Sequence, residues 1–114
     1  MPLLTITTNI SLDDETAQSL CKDASCHAAS LLGKPESYVM VCLQPGTIMS
    51  FAGDNSPCAM LELKSLGLPE QQTASFSESL CNFFNQRLGI KPERIYIQFC
   101  NPERHMWGWD RRTF

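Results

Sequence analysis

Gly33-Lys34-Pro35-Glu36-Ser37-Tyr38-Val39-Met40-Val41 has a counterpart later in the chain, Lys91-Pro92-Glu93-Arg94-Ile95-Tyr96-Ile97. Each places Lys-Pro-Glu ahead of an apolar run, and the two lysines, 34 and 91, are 57 positions apart. Glycine precedes both, as Gly33 and Gly89. The same offset lays Leu4 and Ile6 over Leu61 and Leu63. Two strands in one register, each following a glycine helix stop, indicate an internal duplication, with halves near residues 1–57 and 58–114. At 114 residues the chain reads as one domain, 1–114.

Each half reads as strand, helix, strand. The first strand lies near residues 2–8, opened by Pro2-Leu3-Leu4. Ser11-x-x-Asp14 resembles a capping box, with Asp13, Asp14 and Glu15 suited to a helix N-terminus. Ala17, Leu20, Cys21, Ala24, Ala28, Leu31 and Leu32 then recur at helical spacing. Gly33 and Pro35 stop that helix. A strand near Tyr38–Leu43 closes the first half. In the second half a strand is expected near Cys58–Ser65, and Pro69-Glu70 opens a helix. Phe76, Leu80, Phe83, Phe84 and Leu88 form its inner face, and Ile95–Cys100 is the last long strand. Connections of this length make parallel, right-handed βαβ units. The fold class is therefore α/β, two βαβ repeats forming one four-stranded sheet with both helices on one face. Leu3, Val39, Val41, Ile95 and Ile97 offer more apolar surface than one helix layer covers. Self-association into a closed ring is the expected remedy.

Composition removes several function classes. Hydrophobic content of 43% with 18% charged residues is globular, not disordered. A net charge of −3 with no basic run argues against a nucleic-acid partner. No segment approaches the ~20 apolar residues of a membrane span. The N-terminus lacks the basic and apolar regions of a signal peptide. A cytoplasmic location, or secretion by a route without such a peptide, is expected. The six cysteines, Cys21, Cys26, Cys42, Cys58, Cys81 and Cys100, contain no C-x-x-C pair. Cys21 and Cys26 fall ~140° apart around a helix. Metal ligation is not expected, and most of the thiols should act as small buried hydrophobes. His27 borders the apolar face of the first helix and reads as structural. His105 has no evident partner in the sequence.

Pro2 is the residue with the most chemistry to offer. Methionine aminopeptidases generally remove Met1 before a small residue, and the mature chain would then begin with a secondary amine at the head of a strand. Burial lowers an amine's pKa by disfavouring its charged form. A neutral amine near pH 7 is a competent general base.

Taken in order, Met1-Pro2 with Thr8-Asn9, Gly33-Lys34-Pro35 with Tyr38, Met49-Ser50-Phe51 with Gly53, and Ser56-Pro57-Cys58-Ala59 form a connected pattern. Ser65-Leu66-Gly67, Pro92-Glu93-Arg94-Ile95-Tyr96-Ile97, Gly108-Trp109 and Thr113-Phe114 complete it. Over almost its whole length the chain resembles the macrophage migration inhibitory factor family, within the tautomerases that use an N-terminal proline. The resemblance implies a trimer of two-repeat βαβ subunits. It implies keto–enol tautomerisation of small aromatic α-keto acids such as phenylpyruvate, and isomerisation of dopachrome-type compounds, without cofactor or metal. By the same resemblance Pro2 is the base, and Lys34 holds a substrate oxygen and helps keep Pro2 neutral. The Leu66 N–H takes a substrate oxygen, and Tyr96 and Gln98 come from a neighbouring subunit. Tyr38, Trp109 and Phe114 form an aromatic wall, with Trp107 at the mouth.

The chain departs from the pattern of animal members in several places. Gln98 stands for an asparagine, Trp107 for a small aliphatic residue, and Asp110-Arg111-Arg112 for small polar residues. Cys58-Ala59-Met60-Leu61 lacks a second cysteine, and Ser11-Leu12-Asp13 and Gln44-Pro45-Gly46 lack the charged pair that imitates a chemokine receptor motif. The alternative function is a secreted, cytokine-like ligand of a protein receptor, with vestigial tautomerase activity. A third reading is a superfamily enzyme that hydrates or decarboxylates unsaturated acids. That chemistry uses arginine and glutamate groups for which the chain shows no evident counterparts.

Overall fold

A computed structural model describes residues 1–114. Strand β1 (Leu3–Thr8), helix α1 (Asp14–Leu32) and strand β2 (Met40–Gln44) are followed by β3 (Ala59–Lys64), α2 (Thr73–Leu88) and β4 (Ile95–Cys100). The main sheet has the order β2-β1-β3-β4. β1 pairs in parallel with β2, and β3 with β4. The two central strands, β1 and β3, are antiparallel. The sheet is thus mixed, and each strand–helix–strand unit forms its own parallel pair.

Local chemistry sets the helix ends. Asp13, not Ser11, is the N-cap of α1, and its side chain accepts from the Thr16 N–H at 2.7 Å. The Ser11 capping box is therefore replaced by an aspartate cap that also complements the helix dipole. Gly33 ends α1 at φ 63°, a left-handed conformation that glycine adopts without a Cβ clash. The Gly33 N–H donates to the Ser30 carbonyl and the Lys34 N–H to the Ala29 carbonyl, at 3.3 and 3.0 Å. This paired closure is a Schellman motif, and it fixes the backbone of Lys34. Tyr38 falls in a 3-10 turn, Glu36–Tyr38, so β2 begins at Met40 rather than at Tyr38. A similar turn, Glu70–Gln72, precedes α2.

Leu4, Ile6, Leu61, Leu63 and Ile95 face Leu20, Ala24, Ala28, Phe76, Leu80 and Phe84, and together they make the core. Both helices thus pack on one face of the sheet. Complete burial of a leucine such as Leu61 stabilises the fold by about 1.5–3 kcal/mol. Thr8 is buried but satisfied: its hydroxyl donates to the Cys58 carbonyl at 2.8 Å and accepts from the Ile10 N–H at 3.2 Å.

Strand parity corrects the expected open face. Val39, Val41 and Ile97 pack against the helix-covered core, and Ile95 belongs to it. The other face carries three cross-strand rows. They are Met40–Leu3–Lys64–Cys100, Cys42–Thr5–Glu62–Gln98 and Gln44–Thr7–Met60–Tyr96. Its large apolar groups are Leu3, Met40, Met60 and Tyr96, interleaved with polar ones. The cysteines also differ from expectation. Only Cys58 is buried, while Cys26, Cys42 and Cys100 are exposed in the single chain. Cys42 and Cys100 fall on this open face, so their strands give them no helix to pack against.

A short hairpin ends the chain, β5 (Gly108–Trp109) against β6 (Arg112–Thr113). Its turn residues Asp110 and Arg111 both have positive φ, 48° and 65°. That geometry matches the twist of a two-residue hairpin, although glycine or asparagine is the usual occupant. No helix is long and apolar enough to cross a membrane.

Candidate active site

The largest cavity, about 870 Å³, opens at the head of β1. Pro2, Tyr38, Lys64, Cys100, Trp107 and Trp109 are among its walls. Pro2 is fully buried, and its carbonyl accepts from the Met40 N–H at 3.0 Å, which extends the β1–β2 ladder. Proline is suited to this position because its missing N–H lies at the very start of the strand. The hairpin supplies the aromatic wall. Trp109 stacks on Phe114 at 5.7 Å and 9°, and meets Tyr38 edge-on at 6.3 Å. The Arg112 guanidinium lies 5.1 Å from the Trp109 ring on the same hairpin. Phe114 is therefore one shell behind the cavity, supporting Trp109.

Lys34 comes from the capped end of α1. Its ammonium donates to Ser65 Oγ at 2.9 Å and to the Leu66 carbonyl. The chain's terminal amine, on Met1, has its pKa lowered by burial first, then by the Lys34 ammonium beside it and by Arg104. All three disfavour a further positive charge at the cavity. Because Pro2 is acylated by Met1, its nitrogen here is an amide and accepts no proton. The Met1 amine stands one residue out from where a Pro2 amine would be, in the same field of cations. The Leu66 N–H donates to no other group of the chain, although the Leu66 side chain is buried.

Two expected site residues lie apart from this cavity. Tyr96 and Gln98 are exposed on the open sheet face and do not line this cavity, Gln98 one row and Tyr96 two rows from Leu3. Tyr96 lines a second, apolar cavity of about 340 Å³ with Met49, Phe51 and Met60. The Phe51 and Tyr96 rings are 4.8 Å apart. One chain thus gathers Pro2, Lys34, Tyr38, Trp107 and Trp109, and presents Tyr96 and Gln98 elsewhere.

Three contributors escaped the sequence reading. Arg104 acts on the terminal amine and donates from Nε to the Phe114 oxygen at 3.3 Å. Lys64 lines the cavity from the open face. Arg94 binds the carbonyls of the loop that carries Phe51. Only the parity of β3, with Lys64 opposite Leu3, could have signalled Lys64. The histidines are otherwise occupied. His27 bonds Ser79 Oγ at 3.0 Å and stacks on Phe83 at 4.7 Å. His105, expected to lack a partner, lies 3.4 Å from the Glu103 carboxylate at the surface.

A twice-repeated βαβ sheet, with its first strand opening into a cavity lined by Lys64 and aromatics, defines the class: it is the fold of the tautomerase superfamily. The profile of the macrophage migration inhibitory factor family matches residues 1–114, and the chain belongs to that family, which is known for tautomerase and cytokine roles. It is 36% identical to a macrophage migration inhibitory factor homolog of Brugia malayi, covering 100% of this chain and 99% of that one. It is 33% identical to the macrophage migration inhibitory factor of Xenopus laevis, over the same shares. Among solved structures, the homologue from Prochlorococcus marinus superposes with a TM-score of 0.91 at 41% identity, covering 98% of each chain. The Toxoplasma gondii factor superposes at 0.87 with 32% identity, covering 98% of this chain and 99% of that one.

Proposed function

We propose that the protein is a keto–enol tautomerase for phenylpyruvate-type α-keto acids and dopachrome-like compounds, with the Pro2 amine as general base. The observation that carries this reading is the setting of Pro2. It is fully buried at the head of β1, in a cavity where burial and two cations depress an amine's pKa. Removal of Met1 would turn the Pro2 nitrogen from an amide into a secondary amine.

The reaction then needs no redox partner. The Pro2 nitrogen takes a proton from the carbon next to the keto group. The C–H electron pair becomes the C=C bond, and the carbonyl π pair moves to oxygen. That oxygen gains a proton to give the enol. In the reverse direction the prolinium returns its proton to carbon. In this reading Lys34 and the Leu66 N–H stabilise the developing oxyanion or hold the carboxylate; the Lys34 ammonium beside the terminal amine supports its part. The ring lies against Tyr38 and Trp109, with Phe114 behind and Trp107 at the mouth.

The site is completed in a homotrimer, in which Tyr96 and Gln98 of one subunit reach the Pro2 cavity of the next. Their place on the open sheet face, away from their own Pro2, supports this arrangement. In the same reading the chain is one domain, 1–114, with duplicated halves near 1–57 and 58–114. It works without cofactor or metal, in the cytoplasm or after export without a signal peptide. Family membership favours a second reading, a cytokine-like ligand of a protein receptor.

The test is phenylpyruvate tautomerisation by protein whose intact mass establishes loss of Met1. Pro2→Gly, and a form retaining Met1, should lose ~10²–10⁴-fold in kcat/KM, the span of general-base catalysis. Full rate in either form removes Pro2 from the chemistry. A receptor ligand would keep its binding in Pro2→Gly.

A further inference from the structure

Four of the chain's cations are half-buried: Lys34, Lys64, Arg87 and Arg94. Three have partners within the chain. Lys34 donates to Ser65 and Leu66, Arg87 pairs with Asp23, and Arg94 donates to four carbonyls. Lys64 has neither a hydrogen bond nor an ion pair among those the chain forms. Its neighbour on the same face, Glu62, is exposed and makes no ion pair with it.

Lys64 lines the Pro2 cavity, and no aspartate or glutamate does. Its Cα is in register with Leu3, one residue from Pro2, and its side chain shares the open sheet face with Leu3 and Cys100. Lys34 approaches the same end of β1 from the capped end of α1, and bonds the two residues that follow Lys64. Lys34 and Lys64 thus approach the head of β1 from different elements, Lys64 as part of the cavity wall and Lys34 beside the terminal amine. A half-buried ammonium without a counter-charge attracts an anion more strongly than a solvated one does, because water screens it less. Phenylpyruvate brings one carboxylate, which Lys34 suffices to hold.

We propose that Lys64 is a specificity residue that binds a second anionic group of the substrate, so that the cavity selects dianionic α-keto acids over monoanionic ones. This deepens the tautomerase reading and rests on it. The second group is a carboxylate or a phosphate. Either meets the ammonium by a charge-assisted hydrogen bond. The remaining walls, Tyr38, Trp107 and Trp109, accommodate the apolar body between the two anions.

The experiment compares 4-carboxyphenylpyruvate with phenylpyruvate, which share the reacting centre and differ by one anion. The wild type, with Met1 removed, should favour the dianion in kcat/KM. In Lys64→Met that preference should fall about tenfold, mainly through KM, at the low end of what a hydrogen bond to a charged group contributes. Lys64→Arg should retain it, and higher salt should reduce it in the wild type. Calorimetric binding of the unreactive pair 4-carboxycinnamate and cinnamate repeats the comparison without turnover. If phenylpyruvate is not turned over but the Lys64-dependent preference in binding persists, the catalytic reading fails and the anion site stands. Equal binding of both probes by the wild type, or an unchanged preference in Lys64→Met and in Lys64→Gln, overturns the proposal.

Discussion

At the scale of single residues, the cavity lowers the pKa of the amine it holds. The α-amino group ordinarily titrates near 7.7–8.0. Here burial acts first, and the Lys34 ammonium second, to lower the value at the chain's terminus. In the proposed mechanism the neutral amine is the base, so kcat/KM should rise with pH through its pKa. Removing a neighbouring positive charge raises that pKa. Lys34→Met should therefore move the acidic limb of the pH–rate profile to higher pH, besides raising KM by loss of an anion contact. Steady-state rates from about pH 5 to 9 check this, since the free-enzyme limb reports the base. A limb that stays in place would confine Lys34 to substrate binding. Pro2 drew attention in the sequence by its position, and Lys34 only through the family resemblance that includes Gly33-Lys34-Pro35. Neither Lys64 nor Arg104 was legible there. A lysine on a strand and an arginine in a loop read as solvated charges until the register sets Lys64 opposite Leu3 and a turn brings Arg104 toward the terminus.

At the scale of elements, Arg94 shows how one side chain organises a loop. It closes the turn before β4 and donates to the carbonyls of Phe51, Asp54, Ser56 and Pro57 at 2.9–3.2 Å. Its guanidinium also lies 5.1 Å from the Phe51 ring, which leans on Tyr96. Ala52 in that loop has φ 57°, a left-handed conformation that costs an L-residue roughly 1–2 kcal/mol. The bonds to Arg94 help maintain it. Arg94→Gln should destabilise the fold by about 2 kcal/mol and speed amide exchange across residues 49–57. Arg94→Lys should recover only part, because a point charge cannot span four carbonyls. Exchange confined to α1 and α2 would refute the clamp. The helices carry a second test. His27 sits between them, on Ser79 and Phe83, and burial lowers its pKa. The unfolded chain then binds more protons than the native one between the two pKa values, so stability rises with pH across that window. It is fully present above the unfolded value near 6.5 and is lost as pH falls through the folded value. His27→Gln keeps a hydrogen-bonding group but does not titrate. Its Tm should fall less than the wild type's between pH 7.5 and pH 5. The helices, long strands and glycine stops were readable because periodicity and φ preference are local. The sheet faces were misread at Val41 and Ile97, because parity depends on a register that no short window contains. The terminal hairpin was missed because Asp110-Arg111 is an unusual pair for its turn.

At the scale of the whole molecule, the open sheet face and the divided site make one argument. Met40, Met60 and Tyr96 are apolar groups without a helix above them, and Tyr96 and Met40 are 65% and 62% exposed in the single chain. Tyr96 and Gln98 lie on a different part of the sheet from the Pro2 of their own chain. A closed ring would resolve both facts together: in the proposed trimer each subunit covers its neighbour's sheet and brings Tyr96 to its neighbour's cavity. Sedimentation should then give three times the 12.8 kDa chain mass. The sharper test uses two inactive variants. Pro2→Gly lacks the base and keeps Tyr96, whereas Tyr96→Ala keeps the base and lacks the ring. If Tyr96 acts in its own subunit, no mixture of the two contains a complete site. If it acts on the neighbour, a site is complete wherever a Tyr96→Ala subunit is followed by a Pro2→Gly subunit. Random mixing in equal amounts makes that true for about one site in four of a cyclic ring. Co-expressed variants should therefore regain about a quarter of wild-type activity per site, and separately expressed, unexchanged variants none. Absence of recovery in demonstrably mixed trimers would place Tyr96 outside the neighbour's site.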